Sequence, residues 1–310
     1  MTSFLRGTAA LLCAAVLALP LAASAADKTS LDTDRDRTGY MIGMDVGRSL
    51  APVAPDMDVA AFERAVRHAF EGGEPLLGEA DAAQVGPALM QRVAARGGQR
   101  VPGLAPGATP PPVDKAKVGL LMGADVGRSL APIQREFDVA TFMQAVRTTL
   151  AGGTPLLSPE QFAAAGEAFQ KHMQQREARA GEENRQAGLD FLAGNRTTKG
   201  VVTTASGLQY QVLRQGSGRR PMATDRVRVH YRGTLLDGTV FDSSYDRGQA
   251  ADFGLRQVIP GWTEGLALMP IGGRYRFWIP SDLAYGTQGR PPTIGPNSVL
   301  VFDVELLDIL

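Results

Sequence analysis

The chain has 310 residues, 44% of them hydrophobic and 21% charged, which suits a globular protein of about two domains. Lysine plus arginine equals aspartate plus glutamate at 32 each, so no basic field argues for a nucleic-acid partner. Cys13 is the single cysteine, which excludes an intrachain disulfide and leaves stability to core packing.

The first 25 residues, MTSFLRGTAALLCAAVLALPLAASA, carry one positive charge (Arg6), an apolar run to Leu21 and small residues at Ala23 and Ala25. That pattern predicts a secretory signal cleaved after Ala25. A transmembrane anchor would need roughly 20 apolar residues and different flanks. Cleavage removes Cys13, and a thiol-free mature chain suits an oxidising compartment. The expected destination is the periplasm, with the outer surface or secretion as alternatives. Residues 27–39, DKTSLDTDRDRTG, read as a solvated polar leader. The alternation of Asp32, Asp34 and Asp36 imitates a calcium loop, but Arg37 and Gly43 stand where glycine and a bidentate glutamate are needed.

The octapeptide DVGRSLAP then occurs twice, at Asp45–Pro52 and Asp125–Pro132. Residues 40–77 and 120–157 align without a gap and share 21 of 38 positions, so a whole structural unit is duplicated. In each copy glycines recur every four residues (Gly39, Gly43, Gly47; Gly119, Gly123, Gly127), which places them on one helix face. Each costs about 1 kcal/mol of helix propensity. Close approach of another helix is the obvious compensation. A second helix follows, N-capped by Asp58 or Asp138. Its apolar stripe is Val59, Phe62, Val66 and Phe70, matched by Val139, Phe142, Val146 and Leu150, and Gly-Gly stops it in both copies.

Residues 78–96 follow the first repeat, broken at Gly86-Pro87, and residues 99–114 form a Pro- and Gly-rich linker. Ser158-Pro159-Glu160-Gln161 supplies an N-cap, a proline at the first helical position and a capping-box glutamine. The stretch to about Arg196 reads as one long helix, a spacer of roughly 55 Å weakened at Gly181 and Gly188. From Gly200 the period changes to two. Leu208, Tyr210 and Val212 alternate, as do Val227, Val229 and Tyr231. Asp237-Gly238 marks a hairpin. Arg274–Ile279 and Val299–Leu307 supply further strands, with one short helix at Gly261–Leu268. The expected fold is α+β: an all-helical N-terminal region of two tandem repeats and a long helix, then an antiparallel sheet wrapped on a short helix.

The segments VHYRGTLLDGTVFDSS, QVIPGWTEGLALMPIGG, IPSDLAYG and NSVLVFDVELLDI closely resemble the FKBP-type peptidyl-prolyl isomerase domain, over about residues 200–310. The duplicated units with the long helix resemble, more weakly per residue, the N-terminal dimerisation domain of the family's Mip and FkpA branch. The resemblance implies residues 38–98 as helical repeat 1, 115–196 as repeat 2 with its long helix, and 200–310 as the isomerase domain. It further implies isomerisation of Xaa-Pro bonds in exported proteins, without metal or cofactor.

By motif, Tyr231, Asp242 and Tyr285 are the catalytic candidates. Phe241, Phe253, Val258, Ile259, Trp262, Ile294 and Phe302 are the substrate-binding ones. Trp262 would floor the pocket and Tyr231, Phe241 and Phe302 would wall it. The Ile259 N–H and Tyr285 hydroxyl would hold substrate carbonyls, and Asp242 would polarise the site. Periodicity alone would read these aromatics as core, but a carboxylate beside Phe241 needs partners if buried. Trp278 alternates with Phe277 and Ile279 and is expected to face outward. The sequence departs from the family at Ala251, Arg290 and Thr293, in the rim and flanking loops, which bears on substrate preference and on affinity for macrolide inhibitors.

No Walker loop, GxSxG, HExxH or CxxC occurs, and His68, His172 and His230 are scattered. The competing class is a periplasmic chaperone that holds unfolded, proline-containing clients, with isomerisation secondary. In the resembling family two chains intertwine these N-terminal helices. Here one chain owns both copies, and the 16-residue segment Gln99–Asp114 reaches up to ~50 Å. The copies are therefore expected to form an intramolecular pseudo-dimer, with an ordinary homodimer through the second copy as the alternative.

Overall fold

A computed structural model describes residues 27–99, 101, 104 and 109–310; the expected signal segment, Cys13 and part of the linker lie outside these. The described residues fall into two compact units that divide after Phe169. No helix among them is long and apolar enough to cross a membrane.

The first unit is helical. Helix α1 (Asp34–Leu50) carries the first glycine face, and Thr33 caps it in a capping box closed by Asp36. The segment expected to be a solvated leader is instead anchored. Gln144 bonds both the Lys28 N–H and the Lys28 carbonyl, at 2.9 and 2.7 Å. Asp36 is buried and paired with Lys28 at 2.6 Å. The charge of Asp36 is tolerated because the Lys28 ammonium and the Thr33 backbone N–H donate to its carboxylate.

Helix α2 (Val59–Phe70) begins where Asp58 accepts the Ala61 N–H. Helix α3 (Glu79–Arg96) runs unbroken through Pro87, contrary to the expected break. Val85 and Leu89, on either side of the proline, are both buried. Arg92 and Arg96 pin its last turns to buried Asp56, each at 2.8 Å. This tertiary anchoring outweighs the roughly 3 kcal/mol that an interior proline costs.

Helix α4 (Lys115–Leu130) repeats α1, and α5 (Val139–Leu150) repeats α2, with Asp138 accepting the Thr141 N–H. The pairing crosses between repeats: α1 packs on α5, and α4 packs on α2. The glycines show why. A Cβ on Gly43 would stand 2.3 Å from the Phe142 carbonyl oxygen, and one on Gly123 would stand 2.3 Å from that of Phe62. Each glycine face is therefore filled by the second helix of the other repeat. Phe62, Val66, Phe137, Phe142 and Val146 are fully buried in the joint core.

Helix α6 (Pro159–Asn195) is continuous over 37 residues, capped as expected by Ser158 and Gln161. Its C-terminal half belongs to the second unit and is packed there, so it is not the free spacer expected. Asn184 donates to the Pro296 carbonyl at 2.9 Å, Asn297 donates to the Gly181 carbonyl at 3.0 Å, and Gln209 donates to the Leu192 carbonyl at 2.8 Å. Gly181 and Gly188 sit where the helix lies against Pro296 and Val299.

The second unit is an antiparallel sheet of β1 (Val201–Thr203), β2 (Gln209–Arg214), β3 (Arg226–Thr234), β4 (Val240–Ser243), β5 (Ala251–Gly254), β6 (Arg274–Ile279) and β7 (Leu300–Ile309). The order is β1-β2-β6-β7-β3-β4, with β5 also on β3. Helix α7 (Pro260–Ala267) lies on the inner face, where a Cβ on Gly265 would be 2.8 Å from the Phe277 ring. Val227, Val229, Phe277, Leu300, Val304 and Leu306 fill the core.

Two alternations mislead. Trp278 does not face solvent and is only 8% exposed. It pairs with Gln209 and Val301 on the neighbouring strands, and α6 covers that side through the Gln209–Leu192 bond. Val212 is exposed, at a β-bulge that shifts the register of the β2–β6 pair.

Candidate functional site

A cavity of about 430 Å³ opens on the second unit between β3, β4, β5, α7 and the loops before β7. Its lining includes nine of the ten residues singled out from sequence: Tyr231, Phe241, Asp242, Phe253, Val258, Ile259, Trp262, Tyr285 and Phe302. Ile294 is the exception. It is buried in the adjoining core, with its backbone bridged to Arg290.

Local structure fixes each group. Ile259 is the N-cap of α7 and Pro260 starts the helix, so Trp262 lands in its first turn with its N–H on the Ile259 carbonyl at 2.9 Å. Trp262 is 4% exposed and forms the floor. Tyr231, Phe253 and Phe302 meet the indole edge-on, at centroid distances of 5.1, 5.3 and 5.1 Å. Such edge-to-face sets hold rings rigidly, because the quadrupoles oppose any slide to stacking. Phe241 meets Phe302 in the same way at 5.4 Å. Gly233 makes this possible, since a Cβ there would stand 2.7 Å from both rings. The indole Nε1–H is buried without a partner. Among the described residues the Ile259 N–H also donates to nothing, as an N-cap N–H outside the helical ladder can.

The polar corner is one clamp. Alternation along β3 turns Tyr231 inward, and buried Ser244 locks the crossing to β4 by accepting the Tyr231 N–H at 2.8 Å. The Tyr231 hydroxyl donates to Asp242 Oδ2 at 2.6 Å. Arg247 donates to Asp242 Oδ1 and, at 2.8 Å, to the Tyr231 hydroxyl. Burial pushes the Asp242 carboxyl up, but the bonds from Tyr231 and Arg247 outweigh it and hold the group below the usual carboxylate range. Burial and the neighbouring carboxylate raise Tyr231. The corner therefore presents a carboxylate and a neutral phenol at neutral pH.

Sequence reading missed two residues of this corner and rim: Gln257 lines the cavity, and Arg247 completes the clamp. Arg290, singled out as a departure from the family, lines the cavity as well. Arg247 lies in the exposed loop after β4, where neither periodicity nor a turn signal distinguishes one arginine from another. His230 lies on the opposite strand face, its ring stacked on Tyr245 at 4.8 Å. A larger cleft of about 590 Å³ lies in the helical unit between residues 29–38 and the start of α6. It has no comparable aromatic enclosure.

The model of the FKBP-type peptidyl-prolyl cis-trans isomerase matches residues 217–307, and that of the domain amino-terminal to it matches residues 35–101 and again 115–212. The chain belongs to the FKBP-type peptidyl-prolyl cis-trans isomerase family. An FKBP-type isomerase of Aeromonas hydrophila, FkpA, is 44% identical over 206 residues, spanning 62% of this chain and 74% of that protein. The Legionella longbeachae protein named outer membrane protein MIP is 37% identical over 200 residues, 63% of this chain and 86% of its own. The crystal structure of FkpA from Escherichia coli has 38% identity, covering 63% of this chain and 96% of that one, with a TM-score of 0.48. As an FKBP-type enzyme, the protein catalyses cis-trans rotation about the peptide bond preceding proline.

Proposed function

We propose that the aromatic cavity is the seat of this reaction and that the ten residues read from sequence, with Ile294 supporting from the adjoining core, are its working parts. Rotation about an Xaa-Pro bond faces a barrier of ~18–20 kcal/mol, set by amide resonance. The planar ground state is more polar than the twisted transition state, so an apolar enclosure disfavours the former relative to the latter. Trp262 seats the proline ring, and Tyr231, Phe241, Phe253, Val258 and Phe302 exclude water around it. The Ile259 N–H and the Tyr285 hydroxyl hold the flanking carbonyls, and the carboxylate of Asp242 polarises the wall. The observation that carries the reading is a rigid edge-on aromatic box with one satisfied carboxylate at its corner. The test is proline-peptide isomerisation by Asp242→Leu, with circular dichroism to show that the fold persists. Unchanged activity would remove Asp242 from the mechanism. The same cavity is the place for a macrolide inhibitor.

The setting follows from the rest of the chain. Residues 1–25 direct export and are cleaved, residues 200–310 carry the isomerase site, and the repeats at 38–98 and 115–196 hold unfolded, proline-containing clients in the periplasm. The repeats act as a pseudo-dimer within one chain, since each glycine face is already occupied by the other repeat's helix. Light scattering on the mature protein should return the mass of one chain at micromolar concentration. A mass of two chains that survives dilution would favour the homodimer instead.

A further inference from the structure

We infer that Arg290 is a specificity-determining residue, favouring clients that carry a carboxylate side chain on the residue next to the isomerised proline. The inference rests on the cavity being the reaction site. Arg290 lines that cavity and is exposed at its mouth. Its backbone is held by paired hydrogen bonds with Ile294, 2.7 Å from the Arg290 N–H and 3.0 Å back to its carbonyl. From this short bridged loop the guanidinium extends over the Tyr285 ring, 5.8 Å from the centroid, with Nη1 3.3 Å from the Tyr285 hydroxyl. The side chain is thus tethered beside the hydroxyl assigned to a substrate carbonyl.

The charge balance of the mouth decides the sign. Four ionisable side chains line the cavity: Tyr231, Asp242, Tyr285 and Arg290. Asp242 is neutralised by Arg247, and burial and the neighbouring carboxylate raise Tyr231 and keep it a neutral phenol. None of the ion pairs among the described residues includes Arg290. The mouth therefore carries one uncompensated cation whose donors beyond the Tyr285 bond remain for a planar acceptor, and the guanidinium fork suits a carboxylate. An aliphatic side chain gains nothing from it, and a lysine is repelled.

An exposed ion pair has a modest strength, which sets the expected effect at roughly threefold in kcat/KM. The experiment uses the mature full-length protein and two peptide pairs at low ionic strength. One pair compares Ala-Glu-Pro-Phe with Ala-Leu-Pro-Phe, and the other Ala-Leu-Pro-Glu with Ala-Leu-Pro-Phe. The Glu-to-Leu or Glu-to-Phe rate ratio should fall roughly threefold in Arg290→Gln for at least one pair. It should be largely retained in Arg290→Lys, and should decline in the parent protein as salt is raised to about 0.5 M, where screening is strong. Ratios in Arg290→Gln equal to those of the parent in both pairs would overturn the inference. Asp242→Leu and Phe302→Ala are run alongside on Ala-Leu-Pro-Phe. If both keep full activity, the cavity reading fails. If they lose activity while the Arg290 ratios stay fixed, only the specificity role fails.

Discussion

Replacing Gly43 by alanine puts the cross-repeat pairing to a direct test. A Cβ at Gly43 meets the Phe142 carbonyl oxygen at 2.3 Å and the Ala145 Cβ at 2.8 Å. The obstacle is backbone on the facing helix, so no side-chain rotation relieves it. Helix α1 must retreat from α5 by about 1 Å, and a gap of that size forfeits a quarter to a half of each dispersion well along the contact. Overpacking of this kind costs typically 1–3 kcal/mol, and a backbone obstacle places it near the top of that range. The gain in helix propensity offsets about 1 kcal/mol. The net expectation is a loss of about 2 kcal/mol. Gly123→Ala should lose a similar amount, because its Cβ meets the Phe62 carbonyl at the same 2.3 Å. Gly166, inside α6, is the control. Its nearest neighbour to an added Cβ is Met41 Sδ at 3.6 Å, so Gly166→Ala should stabilise by up to about 1 kcal/mol. Urea unfolding followed by helical circular dichroism reads all three. If Gly43→Ala and Gly166→Ala both stabilise, α1 does not lie against α5 in solution.

Other expectations follow from the second unit. Because Asp242 is depressed in the folded state, its ionised form and the stability it contributes persist above the unfolded carboxylate pKa near 3.9. Both are lost only as pH falls through the lower folded value. Isomerase activity should therefore be flat from pH 8 to about 5, and a titration centred between 5 and 7 that vanishes in Asp242→Asn would contradict the clamp. Trp262→Ala should cost roughly 3–5 kcal/mol by denaturant melt, the range for deleting a buried indole. A fragment beginning at residue 200 should melt below one beginning at residue 170, since it lacks the α6 turns bonded to Gln209, the cross-strand neighbour of Trp278. Equal melting temperatures would mean that the α6 packing contributes nothing.

Features written in local chemistry were readable in advance. The Ser158–Gln161 capping box and the Asp58 and Asp138 caps depend on residues three apart, and they form as read. The inner faces of β3 and β7 were legible because alternation there meets a single buried side. The site aromatics came through the family motifs; periodicity alone would have left them as core. What stayed hidden is long-range. Glycine spacing said that α1 needs a close partner, but nothing local distinguishes α5 from α2 as that partner. Trp278 obeys the alternation rule and is buried anyway, because a helix from elsewhere in the chain covers the outer side of its strand. Pro87 breaks the rule for helix interiors because the Arg92 and Arg96 pairs to Asp56 lie beyond any helical window.

Crossed pairing inside one chain also frees the two halves to differ. In a symmetric dimer of identical chains every substitution appears on both sides of the axis at once. Here Glu63 on α2 pairs with Arg147 on α5. The equivalent positions in the other direction are Met143 and Arg67, and Met143 is fully buried. A charge pair on one side thus faces an apolar plug on the other, a combination that no homodimer of either repeat could hold. Such mismatched sites favour the alternating order of repeats over self-pairing, so each new asymmetric change makes a return to separate, interchangeable subunits harder.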